Sequence, residues 1–156
     1  MNNPSFRPNH GLSLQIKLIV LWACFLLGML FHTQLALMPL FHGLTVAESH
    51  THEYLSLNAI FWLMLMVFTL PLLMMISLLF TEARPYRRFH FGLTLMYSLI
   101  NFLHLTLDVW VKAPHYQLCL MALLFALGLL LNRVSYLWMR GSISPHLHVS
   151  RVKALQ

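Results

Sequence analysis

Residues 90–108 read HFGLTLMYSLINFLHLTLD. The segment is apolar enough for a membrane-spanning helix, which needs about 20 residues to cross a hydrocarbon core, yet it contains His90, Asn101, His104 and Asp108. A charged side chain near a bilayer centre costs roughly 2.5–3.5 kcal/mol on insertion scales, so such groups turn toward a bundle interior or a cavity. Their spacing supplies the means. His90, Thr94, Tyr97, Asn101, His104 and Asp108 recur at intervals of four, three, four, three and four, which places them on one face of a helix. Leu93, Leu95, Met96, Leu99, Ile100, Phe102 and Leu103 fill the remaining surface. The segment therefore reads as a span with a polar seam that must meet protein or water.

The rest of the chain has the composition that such a span requires. Of 156 residues, 59% are hydrophobic and 9% charged, against about 45–50% and about 25% in soluble domains. Four stretches reach spanning length, at about 18–41, 57–80, 89–111 and 115–139. The expected fold is all-α, a polytopic four-transmembrane-helix bundle forming a single integral membrane domain over 1–156. An outer loop at 42–56 and a cytoplasmic tail at 140–156 complete it. The polar start has neither the pattern of a cleaved signal peptide nor an acylation motif, so the first stretch is expected to remain as a span. Pro71 is expected to kink the second helix, and Pro114 suits the start of the fourth.

Lys and Arg set the orientation, because short loops rich in them stay on the cytoplasmic side. Arg7 and Lys17 precede the first span, Arg84, Arg87 and Arg88 follow the second, and Arg140, Arg151 and Lys153 follow the fourth. The opposite side receives Lys112 alone. Both termini are thus expected in the cytoplasm, with Arg133 snorkelling to the same surface. The expected location is a bacterial plasma (inner) membrane or its equivalent. The formal charge of +6 has a topological explanation, and no nucleic-acid module is present. Trp22, Trp62, Trp110 and Trp138, with Tyr54, Tyr116 and Tyr136, read mostly as interfacial anchors. Cys24 and Cys119 lie in apolar stretches and read as packing residues.

This topology gathers His32, His42, His50, His52, His104 and His115 toward the outer side, with Glu48, Glu53 and Asp108. Imidazole and carboxylate together suit Cu, Zn, Fe, Mn or Ni. His104 and Asp108 stand four residues apart on one helix face. In the first span, Cys24, Gly28, His32, Leu35, Pro39 and His42 form a strip of similar spacing that brings His32 to a broadly similar depth. The loop ESHTHEY adds His50, His52 and Glu53 as further ligands or an outer gate. The expected function is an outward-facing His/carboxylate site that binds a transition metal for transport, delivery or sensing.

Two alternatives use the same residues. His90 and His104 are fourteen positions apart on one face, about 21 Å along a helix. That spacing resembles the paired heme ligands of diheme membrane cytochromes b. The resemblance extends to these two positions only, since the second and fourth spans contain no inward histidine pair. It reduces to a single heme b between His32 and His104, with Gly28 leaving room for the macrocycle, and implies an electron carrier. In the other alternative the chain is a non-catalytic structural or assembly subunit, its seam satisfied by a second copy or a larger membrane complex. No nucleophile stands in a recognisable catalytic context, so no established enzyme activity is indicated.

Overall fold

The computed structural model describes residues 12–43 and 56–141, and all the regular structure among them is helical. The four helices are α1 (Leu14–Phe41), α2 (Leu57–Phe80), α3 (Arg84–Trp110) and α4 (His115–Arg140). Each is long and apolar enough to cross a membrane, α3 being the least apolar. The composition and the helices together fit a membrane helical bundle.

Helix ends follow local chemistry. Ser13 Oγ accepts from Ile16 N, and Ser56 Oγ from Ala59 N, both at 3.3 Å. Each serine thereby satisfies one of the orphan donors of a first turn. α1 begins four residues before its expected start at 18 because Ser13 supplies that cap. α3 begins at Arg84 rather than 89, with Pro85 in its first turn, where the missing N–H costs nothing. The segment TEARPYRR, expected as a loop, is therefore largely helix. At the far end of α3, Ala113 N donates to Asp108 O at 2.9 Å and Lys112 N to Val109 O at 3.2 Å. These two bonds form a Schellman cap, whose left-handed position usually holds glycine. Here Lys112 occupies it with φ 57°.

α1 and α3 run in one sense and α2 and α4 in the other. Trp22 meets His90 near one end and His32 meets His104 toward the other, while Ser135 and Phe125 of α4 meet His90 and Phe102 of α3 in reverse order. α4 packs against both α1 and α3, and α2 packs against α1. Small residues set the close approaches. A Cβ on Gly28 would lie 2.5 Å from Leu124 Cδ2, and one on Gly128 would lie 3.0 Å from Ser98 Oγ. Leu18, Trp22, Phe25, Leu78, Met121, Leu124 and Leu131 form the centre of the core.

The inner face of α1 differs from the expected strip. Leu18, Trp22 and Phe25 are buried and continue through the half-buried Met29 and His32, whereas Cys24 and His42 are exposed. Cys24 lies about 100° around the helix from Phe25 and falls outside this face, whereas Gly28 of the expected strip meets Leu124. Cys119 is likewise exposed, and neither cysteine is paired. Trp22 and Trp138 are core residues rather than interfacial anchors, while Trp62 and Trp110 are exposed.

Candidate metal centre

The seam of α3 divides into a satisfied lower part and an incompletely satisfied upper part. His90, Thr94, Tyr97 and Asn101 are all buried. Trp22 Nε1 donates to His90 Nε2 at 3.0 Å, and His90 Nδ1 lies 2.8 Å from Ser135 Oγ. An indole nitrogen only donates, so Nε2 accepts and the imidazole carries its proton on Nδ1, pointed at Ser135. Both ring nitrogens are occupied. His90 is thus a structural hub, ringed edge-on by Trp22 and Trp138.

Neighbouring polar groups are also committed, all but Thr94 to a partner on another helix. Pro71 has no N–H, which deprives Val67 O of its intrahelical donor. Tyr97 Oη donates to that same oxygen at 2.9 Å. Thr94 Oγ1 donates to Phe91 O at 2.8 Å. Arg87 donates through its guanidinium to Trp138 O at 3.2 Å and Gly141 O at 2.9 Å, with its carbon 5.1 Å from the Trp138 ring centroid. It thereby caps the negative end of α4, a role its expected place in a charged loop did not suggest. Asn132 Nδ2 donates to Ser98 Oγ at 2.8 Å.

From Asn101 onward the pattern changes, beginning with its amide nitrogen, which is buried with no hydrogen-bond partner among the described residues. His32 Nε2 lies 3.7 Å from Asp108 Oδ2, and His104 Nε2 lies 3.6 Å from Asp108 Oδ1. The two imidazoles meet edge to face, with centroids 5.4 Å apart. One ligand atom from each of the three residues falls within 4.8 Å of the others. These separations are too long for hydrogen bonds. They approach the ~3.3 Å between neighbouring ligand atoms of a tetrahedral metal with bonds of about 2.0–2.1 Å.

Burial makes the long separations informative. His32 Nε2 and Asp108 Oδ2 are both shielded from solvent and have no hydrogen-bond partner among the described residues. The two atoms face each other at 3.7 Å, and leaving a buried polar atom unpaired costs about 1–3 kcal/mol. His104 is the most accessible of the three, its side chain 51% exposed against 12% for His32 and 15% for Asp108. The Schellman cap anchors the turn that carries Asp108, since Asp108 O is one of its acceptors.

Two imidazoles and a carboxylate are a donor set shared by zinc sites with an open position and by open-sided iron sites. The heme alternative fits less well, because the Asp108 carboxylate stands against both Nε2 atoms, where the macrocycle would pass. The space beside Gly28 is taken by Leu124. His42 and His115 are exposed and outside the cluster. His50, His52 and Glu53, with Glu48, His10, His146 and His148, lie outside the described residues. Ser135, Trp22 and Arg87 form part of the junction around His90 and the end of α4, although composition alone marks none of them as site-forming. For Ser135 the available signal was its seven-residue spacing from Gly128 and three-residue spacing from Trp138. Comparisons with family models, curated proteins and solved structures gave no match to this chain.

Proposed function

We propose that the protein is an integral, multi-pass membrane protein that binds one transition-metal ion between α1 and α3, held by His32, His104 and Asp108. The observation that carries this reading is the pair of shielded atoms His32 Nε2 and Asp108 Oδ2, without a hydrogen-bond partner among the described residues, facing each other beyond hydrogen-bond length beside the third ligand. The three-ligand set leaves at least one coordination position for water, a loop ligand such as His50, His52 or Glu53, or a cargo acceptor. An open position and a half-exposed His104 suit exchange, and hence delivery, transport or sensing, better than a closed structural site.

The distribution of Lys and Arg supports placing both termini in the cytoplasm, with the metal site in the outward half. Elemental analysis with an absorption spectrum on protein purified in mild detergent tests the proposal. One metal ion per chain without a heme band is expected. A heme band lost on replacing His32 or His104 would establish the electron-carrier reading instead. Neither metal nor heme, with co-purification of a larger complex, would favour a structural or assembly subunit.

A further inference from the structure

Four exposed arginines flank the outer groove between α3 and α4, at the end where α3 begins and α4 stops. Phe91 and Tyr136 set the antiparallel register there, their ring centroids 5.6 Å apart. Arg88 stands three residues from Phe91 and Arg140 four from Tyr136, toward the same end, so the two share a level about 4.5–6 Å beyond the rings. Arg84 lies one turn further out on α3, and Arg133 one turn deeper on α4. The spacings 84–88–91 and 133–136–140 each keep to one helix face. That face is turned away from α1, because the His90–Ser135 pair, about 100° around each helix, lies on the α1 side beside Trp22.

Among the described residues these charges have no counter-ion. Arg87, beside Arg88, is committed to the carbonyls that end α4, but none of the four is paired with a carboxylate, although Glu82 stands at the same end. Tyr136 holds Arg140 at the groove: its hydroxyl accepts from Arg140 Nη1 at 3.0 Å, and the guanidinium carbon lies 5.5 Å from its ring centroid. Further along, the groove turns apolar. Leu95 and Leu99 of α3 and Leu129 of α4, each about half exposed, extend the two rows toward the middle of the spans. A free phosphate would use the cations alone, whereas a phospholipid would use both parts, and basic sites between spanning helices suit anionic headgroups.

We infer that the outer α3–α4 groove binds an anionic phospholipid, its headgroup phosphate held by Arg88 and Arg140 with Arg84 and Arg133 to either side, and its acyl chains lying over Leu95, Leu99 and Leu129. The inference rests on the membrane reading but not on the metal, because His32, His104 and Asp108 gather toward the other end of α3.

The test is native mass spectrometry of the full chain in detergent micelles, titrated with dioleoyl phosphatidylglycerol and with dioleoyl phosphatidylcholine, which share acyl chains and differ in charge. A micelle has no inside, so arginines that serve topology alone predict equal binding of the two. One phosphatidylglycerol per chain is expected, held more tightly than phosphatidylcholine. Arg88→Gln and Arg140→Gln change exposed side chains and should fold; each should raise the Kd for phosphatidylglycerol about fivefold, and the pair about 25-fold. Lys17→Gln removes an exposed cation from α1 at the same end and should bind the lipid as the parent does, as should Asp108→Asn whatever its metal content. The inference is overturned by equal affinity for the two lipids, by an unchanged Kd in the paired arginine variant, by an equal loss in Lys17→Gln, or by inorganic phosphate displacing the lipid at comparable concentration.

Discussion

Replacing His90 by leucine removes the centre of the α1–α3–α4 junction at nearly constant volume, and its cost can be worked from three side chains. Trp22, His90 and Ser135 are each 0% exposed, so water cannot take the place of the imidazole. The Trp22 N–H then has no acceptor, a loss of about 1–3 kcal/mol for a buried orphan. Ser135 escapes most of its share, because a helical serine can turn its hydroxyl to the carbonyl one turn back. Interhelical hydrogen bonds in a bilayer average only about 0.6 kcal/mol, so the orphaned donor, not the lost bond, dominates. The expected destabilisation is about 1–3 kcal/mol, measured by reversible denaturation in mixed micelles. Adding Trp22→Phe to His90→Leu should cost less than the same change in the parent protein, since both partners are then apolar. A His90→Leu protein as stable as its parent, or additivity of the two changes, would refute the hub.

Other perturbations have equally definite outcomes. Tyr97→Phe strands Val67 O and should lower stability by about 1 kcal/mol; in a Pro71→Ala background, where the helix supplies its own donor, that penalty should largely disappear on the same denaturation curves. Lys112→Gly relieves a left-handed backbone at the end of α3 and should raise the unfolding midpoint, by about 1 kcal/mol of stability. A lower midpoint would show that the lysine side chain does more there than end a helix. Gly28→Leu should disrupt α1–α4 packing against Leu124, whereas Gly92→Leu, with open space around it, should be tolerated; thermal aggregation of the two variants separates them.

The helices were legible because spanning length is a local property of apolar sequence. α2 was expected at 57–80 and occupies Leu57–Phe80. The inner face of α3 was legible for a related reason: few polar groups stand on an otherwise apolar helix, so their period is conspicuous. The inner face of α1 was not. Cys24–Gly28–His32 and Trp22–Phe25–Met29–His32 are both plausible rows by spacing; packing turns Trp22, Phe25 and Gly28 inward and leaves Cys24 exposed. Arg87 was obscured by its arginine-rich surroundings. Its burial depends on the carbonyls at the end of α4, more than fifty positions away. Spacing and expected depth point to His32, His104 and Asp108, but the atoms without a partner among the described residues, His32 Nε2 and Asp108 Oδ2, emerge only when α1 and α3 are brought together.

The most direct measurement of the central claim is a calorimetric titration of metal-free protein with Zn²⁺, comparing the parent chain with Asp108→Asn and with His90→Leu. Asp108 faces both imidazoles at 3.6–3.7 Å, so losing its charge should weaken binding at least about 100-fold, since ~1.4 kcal/mol is worth a factor of ten and a direct ligand should outweigh the 10–100-fold effect of a supporting one. Any His90→Leu protein that remains folded should bind as the parent does, at one ion per chain. Equal affinity in the parent and Asp108→Asn, or no saturable binding in the parent, would contradict a metal centre between α1 and α3.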